Sequence, residues 1–283
     1  NQDLFITRNF FTSFLLSILK KKHILEIHDD ILIEGRIVNF LVKSLKILNY
    51  KSVIKIITTT KSLKKKYLEY GIKRNKIFVL HNASALKSQI KKYTSKIKKF
   101  NIGYFGSLYN SRGIEMIIKL SKIDKKNNYF IYGGTKEQIS NIKKGLNNKN
   151  IYFSSYIPYS KVYKKLLNID ICILPYTSKI TVSGDVGNIS NYTSPLKLFD
   201  YMKLGKLIIC SDLKVIKEVL SNNKNCILVK KFNNERTWLK IINRINLNKN
   251  NYNKIRKNAF YYAKKYDLDW RVSKLLSFYK SSY

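Results

Sequence analysis

The chain has few cysteines and no long apolar run, and each of these shortages counts against a class of protein. The three cysteines have neither metal-ligand spacing nor a paired framework, so we expect them to be buried, reduced thiols. No apolar run approaches the roughly 20 residues that a membrane span needs, and no secretory leader is evident. A reduced, cytoplasmic setting is therefore expected. Residue 1 is Asn rather than Met, so we also expect that sequence is missing upstream.

Basic residues are abundant, because 55 Lys or Arg stand against 17 Asp or Glu and give a formal net charge of +38. Such a balance suits phosphorylated substrates, anionic lipid or nucleic acid. The lysines are spread along the whole sequence, however, together with much Asn, Ile and Tyr, which a general drift in composition would also produce. Drift and a selected basic face both stay open as interpretations.

Short β-branched runs alternate with helical stretches over nearly the full length. This alternation predicts an α/β fold in which crossover helices join parallel strands. Near-continuous apolar strands such as ICIL and LIIC indicate sheets that are buried on both faces. Strands are predicted at Ile24–His28, Val53–Thr59, Lys76–Leu80, Asn101–Phe105, Tyr129–Tyr132, Ile151–Phe153, Ile169–Leu174, Leu207–Cys210 and Cys226–Val229. Helices are predicted at Ser62–Tyr70, Ile114–Ile123, Lys136–Leu146, Lys161–Leu167 and Val215–Leu220.

A polar, lysine-rich stretch at 87–99 separates two parts of unequal completeness. The part before it has three clear strands and resembles half of a Rossmann-type domain, whereas the part after it has six. The predicted organisation is a partial N-terminal domain at 1–90, a linker at 91–99, a complete domain at 100–250, and C-terminal helices at 251–283 that return to the first domain.

The most informative block begins at Ser194 and reads SPLKLFDYMKLGKLIICSD. Ser194 is a good helix N-cap, Pro195 is favoured at the first helical position, and Gly205 is a natural C-terminal stop. Lys197 and Asp200 lie three apart, so they share a helix face. Near a helix N-terminus, the lysine suits a phosphate and the carboxylate suits sugar hydroxyls. A plain surface salt bridge between the two is the competing interpretation.

Two glycine-bearing turns follow predicted strands. In NIGYFGSLYNSRGI, the strand ends at Gly106, and Arg112 precedes a helix. Such a turn lets the backbone approach a phosphate closely, and Arg112 is placed to neutralise it. In YFIYGGT, Gly133 and Gly134 end the next strand and suggest another close approach. Many turns resemble the first segment, and a plain tight turn explains the second equally well.

His28 lies at the carboxyl end of a predicted strand, in the segment LEIHDD. A histidine at the carboxyl end of a strand can orient or activate an acceptor hydroxyl. A lone histidine is more often structural, and no spacing in the sequence indicates a zinc site, a P-loop or a Ser–His–Asp arrangement.

Taken in order, these segments resemble the retaining glycosyltransferases of family 4, the large GT-B group that uses nucleotide-sugar donors. The resemblance covers nearly the whole chain. SPLK…GK…SD is its most specific part, and the order of the other segments supports it. They are DLFITRN, LEIHDD, ITTTKSLKKKYLEYGIKRNKIFVLHNA, YFGSLYNSRGIEMII, IDICILPY and YDLDWRVSKLL.

The sequence departs from this family at three points. Family members often carry two Glu before and within the SPLK helix, where this chain has Tyr192 and Asp200. Their frequent Arg after the phosphate-loop glycine is Ser107 here. They also begin with strands and an acceptor loop upstream of DLFITRN, so the resemblance implies an N-terminally truncated chain with an incomplete acceptor pocket and uncertain activity.

The resemblance implies a GT-B fold of two Rossmann-like domains, with the donor held mainly by the second. The implied reaction moves a sugar from an NDP-sugar to a hydroxyl with retained configuration, in surface polysaccharide or glycolipid synthesis. Arg112, Lys197 and His28 are the implied catalytic residues, with the two cations facing the departing diphosphate. The implied donor-binding residues are Gly106, Ser107, Gly133, Gly134, Tyr156, Ile157, Thr193, Ser194, Pro195, Leu196 and Asp200.

We expect neither a metal nor a cofactor, since the NDP-sugar is a substrate and no carboxylate pair is present to hold a metal. The expected partners are the donor, a saccharide or lipid-linked acceptor, and an anionic membrane surface at the inner face of the cell membrane. Two alternatives remain at this stage, another GT-B enzyme such as a nucleotide-sugar 2-epimerase, or a non-enzymatic basic module that binds nucleic acid. The diffuse charge and the absence of a nucleic-acid-binding signature count against the second.

Overall fold

The computed structural model describes residues 5–30, 35–88, 99–181 and 188–280. Its internal contacts divide the chain into two compact units. The first unit comprises Asn1–Ala83, Ile189–Pro195 and Tyr266–Tyr283, and the second comprises Ser84–Asn188 and Leu196–Lys265. Within the described ranges, no helix has the length and apolar character that crossing a membrane requires.

The first unit is built on a four-stranded parallel sheet in the order β1-β2-β3-β4. Its elements are β1 (Phe5–Thr7), α1 (Phe10–Ile18), β2 (His23–Ile27), α2 (Arg36–Lys43), β3 (Val53–Thr58), α3 (Lys61–Glu69), β4 (Ile77–Val79) and, from the end of the chain, α10 (Leu268–Lys280). Local sequence sets the helix starts, since Asn9 caps α1 and Thr60 caps α3 through side-chain oxygens that accept backbone N–H groups.

Both faces of this sheet are covered. One face carries the larger core, in which Phe10 and Leu63 from the helices pack with Leu25 and Ile56 from the strands. On the other face, Leu275 of α10 packs with residues of β2 and β3, Ile24 and Ile57. The C-terminal helix therefore completes the first unit.

The second unit holds a six-stranded parallel sheet in the order β10-β9-β8-β5-β6-β7. Its elements are β5 (Asn101–Phe105), α4 (Ile114–Ile123), β6 (Asn128–Tyr132), α5 (Lys136–Lys143), β7 (Ile151–Ser154), α6 (Tyr159–Leu167), β8 (Ile171–Leu174), α7 (Leu196–Lys203), β9 (Leu207–Ser211), β10 (Ile227–Val229), α8 (Glu235–Leu247) and α9 (Lys249–Ala263). Every residue of β8 and β9 is buried, as expected for strands covered on both faces. The predicted α/β class with two parallel sheets is confirmed.

The elements differ from the predicted ones in a few places. β1 was not predicted, because three residues give too short a pattern to recognise. The predicted helix at Val215–Leu220 is a single 3₁₀ turn, Ile216–Glu218, since six residues leave little room for an α-helical ladder. Residues 251–265, assigned to the returning tail by sequence, group with the second unit. Most of the predicted linker lies outside the described residues, and the predicted domain boundaries stay a prediction.

Candidate functional site

The order of strands in the second unit points to one place on the sheet. The chain first runs from β5 outward through β6 to β7, and then crosses back to place β8 on the other side of β5. At such a reversal the loops that leave the two central strands diverge and open a crevice at their carboxyl ends. Gly106 follows β5 and Tyr176 lies just beyond β8, so the predicted phosphate turn begins at this crevice.

The glycines of this edge are required by close packing between loops. Gly106 and Gly133 have φ of +141° and +139°. A Cβ on Gly106 would lie 2.1 Å from Lys197 Nζ, and a Cβ on Gly133 would lie 2.0 Å from the Gly106 carbonyl oxygen. Their N–H groups already donate to carbonyls of the neighbouring strands, Tyr132 and Ser154, at 2.8 Å. Gly106 therefore leaves space for Lys197, Gly133 leaves space for the Gly106 carbonyl, and neither offers a free backbone donor.

Lys197 enters this space from the first turn of α7. Its Nζ donates to Tyr104 Oη at 3.0 Å and lies 4.3 Å from the centre of that ring. The Tyr104 hydroxyl in turn donates to the Ser107 carbonyl at 2.9 Å. Burial, reinforced by the charge of Arg112, holds the pKa of Lys197 well below its ordinary value.

Arg112 is the second cation at the same place. It ends a 3₁₀ turn before Gly113, and its guanidinium carbon lies 5.3 Å from the centre of the Tyr176 ring, with Lys197 Nζ at 5.5 Å from that centre. Its Nη2 is 3.4 Å from the Thr181 carbonyl, while its buried Nε has no hydrogen-bond partner. In the described part of the chain, neither cation pairs with a carboxylate. Two neighbouring cations without a counter-charge form a site for an anion.

Asp200 is one turn further along α7, yet it does not pair with Lys197. Its Oδ1 accepts hydrogen bonds from Ser84 Oγ at 2.6 Å and from Tyr159 Oη at 2.9 Å. The side chain is buried, and this burial raises its pKa. The interpretation of Lys197 and Asp200 as a surface salt bridge is therefore wrong, because the two side chains turn to different neighbours.

The remaining predicted residues of the second unit follow the strand ends along the same edge. Gly134 follows β6, and its carbonyl accepts the Tyr156 N–H at 3.2 Å. Tyr156 and Ile157 follow β7, and Leu196 begins α7. Tyr156 and Leu196 are 58% and 60% exposed, so both side chains are accessible to a ligand.

Thr193, Ser194 and Pro195 group with the first unit. The helix after them begins at Leu196, one residue later than the predicted start at Pro195. The Ser194 carbonyl accepts the Asn82 side-chain amide at 2.8 Å.

His28 lies at the carboxyl end of β2 in the first unit, as predicted, although β2 ends one residue earlier, at Ile27. Its Nε2 is 2.5 Å from Oε1 of Glu26, a buried carboxylate that also lies 3.0 Å from Nη2 of Arg271. Although burial acts to raise it, hydrogen bonds from His28 and the charge of Arg271 lower the pKa of Glu26 overall. The histidine is therefore part of a charged cluster rather than a lone core residue.

Four contact residues of these sites were not predicted, because their partners are distant in sequence. Tyr104 and Tyr176 flank the two cations, and Ser84 and Tyr159 hold Asp200. Tyr176 gave a usable signal, since it ends the run ICILPY at the carboxyl end of a strand. Within the described ranges, no three His, Cys, Asp or Glu side chains gather as a metal site, and the expectation of metal independence stays untested.

Comparison with known proteins assigns the family. The family model described as glycosyl transferases group 1 matches residues 85–261, more than half of the chain. The chain belongs to this family. It is a glycosyltransferase, as the resemblance implied, and the match favours this assignment over the epimerase and the nucleic-acid module. A search of curated proteins finds no match.

Solved structures with the same fold extend over nearly the whole chain. HepE of Anabaena, solved in complex with UDP, has a TM-score of 0.77 at 14% identity, and the match covers 99% of this chain and 79% of HepE. Sucrose-phosphate synthase from Thermosynechococcus elongatus has a TM-score of 0.75 at 13% identity, covering 98% and 73%. The lipopolysaccharide outer core galactosyltransferase WaaB has a TM-score of 0.70 at 13% identity, covering 99% and 76%. At these identities the likeness concerns the fold, and it confirms the GT-B architecture of this glycosyltransferase.

Proposed function

We propose that this glycosyltransferase moves a sugar from a nucleoside-diphosphate sugar to a hydroxyl acceptor with retention of configuration. The observation that carries the proposal is the pair Arg112 and Lys197, brought together over Tyr176 without a carboxylate partner in the described ranges. Family membership supplies the reaction class, and the paired cations supply the site where the donor diphosphate binds.

Sugar transfer requires that the negative charge developing on the leaving diphosphate be stabilised. As the bond between the sugar and the diphosphate breaks, negative charge grows on the diphosphate, and preorganised cations in a poorly hydrated site stabilise it most at that moment. Arg112 offers a planar fork of N–H donors that matches phosphate oxygens. Lys197 offers a point charge over the same Tyr176 ring, and a bound diphosphate would favour its charged form.

Other roles follow from the chemistry of each residue. Tyr156, Leu196 and Ile157 form the half-exposed rim that we propose for the nucleoside, and Asp200 is proposed to accept a ribose hydroxyl in addition to its two internal donors. His28 in the first unit is proposed to hydrogen-bond a sugar hydroxyl. These roles agree with the resemblance to family 4, from which they were predicted.

We further propose a uridine nucleotide donor and a saccharide or lipid-linked acceptor. HepE was solved with UDP and with UDP-glucose, and WaaB is a lipopolysaccharide galactosyltransferase, which supports a role in surface polysaccharide or glycolipid synthesis. We also propose a cytoplasmic enzyme that works at the inner face of the cell membrane, where a net charge of +38 would favour contact with anionic lipid.

Calorimetric titration of UDP, GDP and ADP into the chain tests the donor site. We expect saturable binding of UDP. UMP, titrated in the same way, should bind more weakly because it offers less negative charge to the two cations. Arg112→Met should weaken UDP binding about 10- to 100-fold, which corresponds to about 1.5–3 kcal/mol for hydrogen bonds to a charged group.

Lys164→Met is the matched control, because Lys164 is exposed on α6 of the same unit and its loss changes the net charge equally. If none of the three nucleotides binds to the folded chain, the proposed donor site fails. If Lys164→Met weakens binding as much as Arg112→Met does, the binding reflects diffuse charge instead. Retention is tested separately by the anomeric NMR signals of the product formed from UDP-glucose.

A further inference from the structure

Glu26 is a carboxylate inside a parallel strand, a position where an unpaired charge would be costly. It belongs to β2, and only 9% of its side chain is exposed. Successive side chains of a strand alternate in direction, so Glu26 and His28, two residues further on, point to the same side. Their contact at 2.5 Å between Oε1 and Nε2 follows from this spacing.

We propose that Glu26, itself held by Arg271, positions the imidazole of His28 so that Nδ1 is left as the hydrogen-bond acceptor for a sugar hydroxyl. A carboxylate oxygen only accepts, so Nε2 of His28 must carry the proton that it donates. In the neutral ring, Nδ1 then carries the lone pair. This inference deepens the proposed function and rests on it, because it assumes that His28 contacts a substrate.

Arg271 is the anchor of this arrangement. It lies on α10, with 11% of its side chain exposed, and its Nη2 lies 3.0 Å from Glu26 Oε1. Its Nε donates to the carbonyl of His81 at 3.1 Å, so the guanidinium spans the ends of β2 and β4. Arg271 and His28 thus reach the same oxygen of Glu26 from two directions. These two contacts favour the ionised carboxylate and hold it beside the ring.

The other two histidines behave differently and provide internal references. In His23, Nδ1 faces the Lys21 carbonyl at 2.9 Å, and in His81 it faces the Thr59 carbonyl at 2.8 Å. Because a carbonyl can only accept, both rings carry their proton on Nδ1. The chain has three histidines in all. His28 is therefore the single ring expected to be protonated on Nε2, a pattern that ¹⁵N NMR distinguishes.

The first experiment records ¹⁵N-edited spectra of the imidazoles in the full chain and in Glu26→Gln. We expect one ring with the Nε2–H pattern and a far-downfield proton, and only that ring should shift when Glu26 loses its charge. Asp30→Asn is the matched control, since Asp30 is another buried carboxylate of the same unit, paired with Lys66, and should leave the His28 signals in place. An Nδ1–H pattern for His28, or signals unmoved by Glu26→Gln, would overturn the proposal.

The second experiment separates positioning from plain structural support by a double-variant cycle on sugar transfer or donor hydrolysis. We expect Glu26→Gln to lower kcat about tenfold with little change in UDP affinity, and to have no further effect once His28→Ala is present. Additive losses in the double variant would refute positioning through His28. Should Glu26→Gln fail to fold, Arg271→Lys takes its place, because one ammonium keeps the charge without spanning Glu26 and His81.

The two proposals fail in different ways. If UDP does not bind but the imidazole spectrum is as expected, the donor site is rejected and the Glu26–His28 geometry is retained. Normal UDP binding with an unchanged spectrum in Glu26→Gln would reject the positioning role alone.

Discussion

Replacing Lys197 by Met is predicted to stabilise the free protein and to weaken donor binding, two effects of opposite sign from one change. The Lys197 ammonium is desolvated, and the nearby positive charge of Arg112 disfavours its charged form further. Met fills a similar volume without a charge, and the Tyr104 hydroxyl keeps its bond to the Ser107 carbonyl. No buried polar group is left unpaired by the change.

The expected gain in the free energy of unfolding is about 1 kcal/mol, a common size for relieving an unfavourable site. In a unit of this size it raises Tm by about 2–4 °C. The expected loss of UDP affinity is about 10- to 100-fold, because a hydrogen bond to a charged phosphate contributes about 1.5–3 kcal/mol. Thermal melts with and without UDP, together with calorimetry, measure both quantities.

Proton linkage provides an independent readout of the same site. Burial and Arg112 lower the pKa of Lys197 in the free protein, and a bound diphosphate raises it again. Binding should therefore take up a proton at pH values between the lowered pKa and the ordinary value of about 10.4. Titrations at pH 8 and above, in buffers of different ionisation enthalpy, report this uptake without interference from the phosphates, which titrate near about 6.

The reasoning is refuted if Lys197→Met lowers Tm and leaves UDP affinity unchanged, since the lysine would then be a structural residue. Lys164→Met serves again as the exposed control on α6 and should alter neither quantity. Proton uptake that persists in Lys197→Met would assign the linkage to another group.

Three further predictions concern other parts of the chain. Gly133→Ala places a Cβ 2.0 Å from the Gly106 carbonyl oxygen, so it should lower the free energy of unfolding by about 1–3 kcal/mol and abolish UDP binding. Gly145→Ala, at φ +74° with open space around it, should lower it by about 1 kcal/mol. Equal losses for the two variants in urea unfolding would contradict this prediction. Burial, with help from neighbouring lysines, lowers the pKa of Lys76 to about 8, so the unfolded chain binds more protons above that pH and stability should rise from pH 8 to 10. Lys76→Met should flatten this rise by about 1 kcal/mol relative to the parent, and parallel curves would reject the assignment. Asp200→Asn keeps an oxygen for its two hydroxyl donors and should change the unfolding free energy by less than about 1 kcal/mol while lowering UDP affinity about tenfold; unchanged affinity would make Asp200 purely structural.

Local features of the site were readable from the sequence because one residue type decides them. Gly205 was predicted to stop the SPLK helix, and it follows α7 with φ +54°, a conformation that glycine adopts without strain. Gly106 and Gly133 were predicted to permit close approach of a ligand, which stays a prediction, and both have the positive φ that favours glycine. The parallel sheets were likewise evident from runs that are apolar on both faces.

Side-chain contacts between distant parts of the chain could not be predicted from the sequence. Spacing along a helix shows which residues share a face, but it does not show which residue of another element each side chain contacts. Lys197 and Asp200 share a helix, yet Lys197 reaches Tyr104 and Asp200 reaches Ser84. His28 was expected from its place after a strand, but its tie to Arg271 near the end of the chain depends on how α10 packs. Such contacts are determined by tertiary packing, and packing separates the side chains of Lys197 and Asp200 that the helix spacing alone would have paired.

The large net charge and the anion site have separate physical origins. A lysine in water is well hydrated, and its field is screened within about 10 Å at 0.1 M salt, so surface lysines accumulate at little cost. Lys197 differs because burial removes that hydration, and the neighbouring charge of Arg112 has no carboxylate to offset it among the described residues. An incoming anion relieves both penalties while the lysine keeps its charge. Compositional drift can therefore account for most of the 55 basic residues while two of them still give the second unit its preference for a diphosphate.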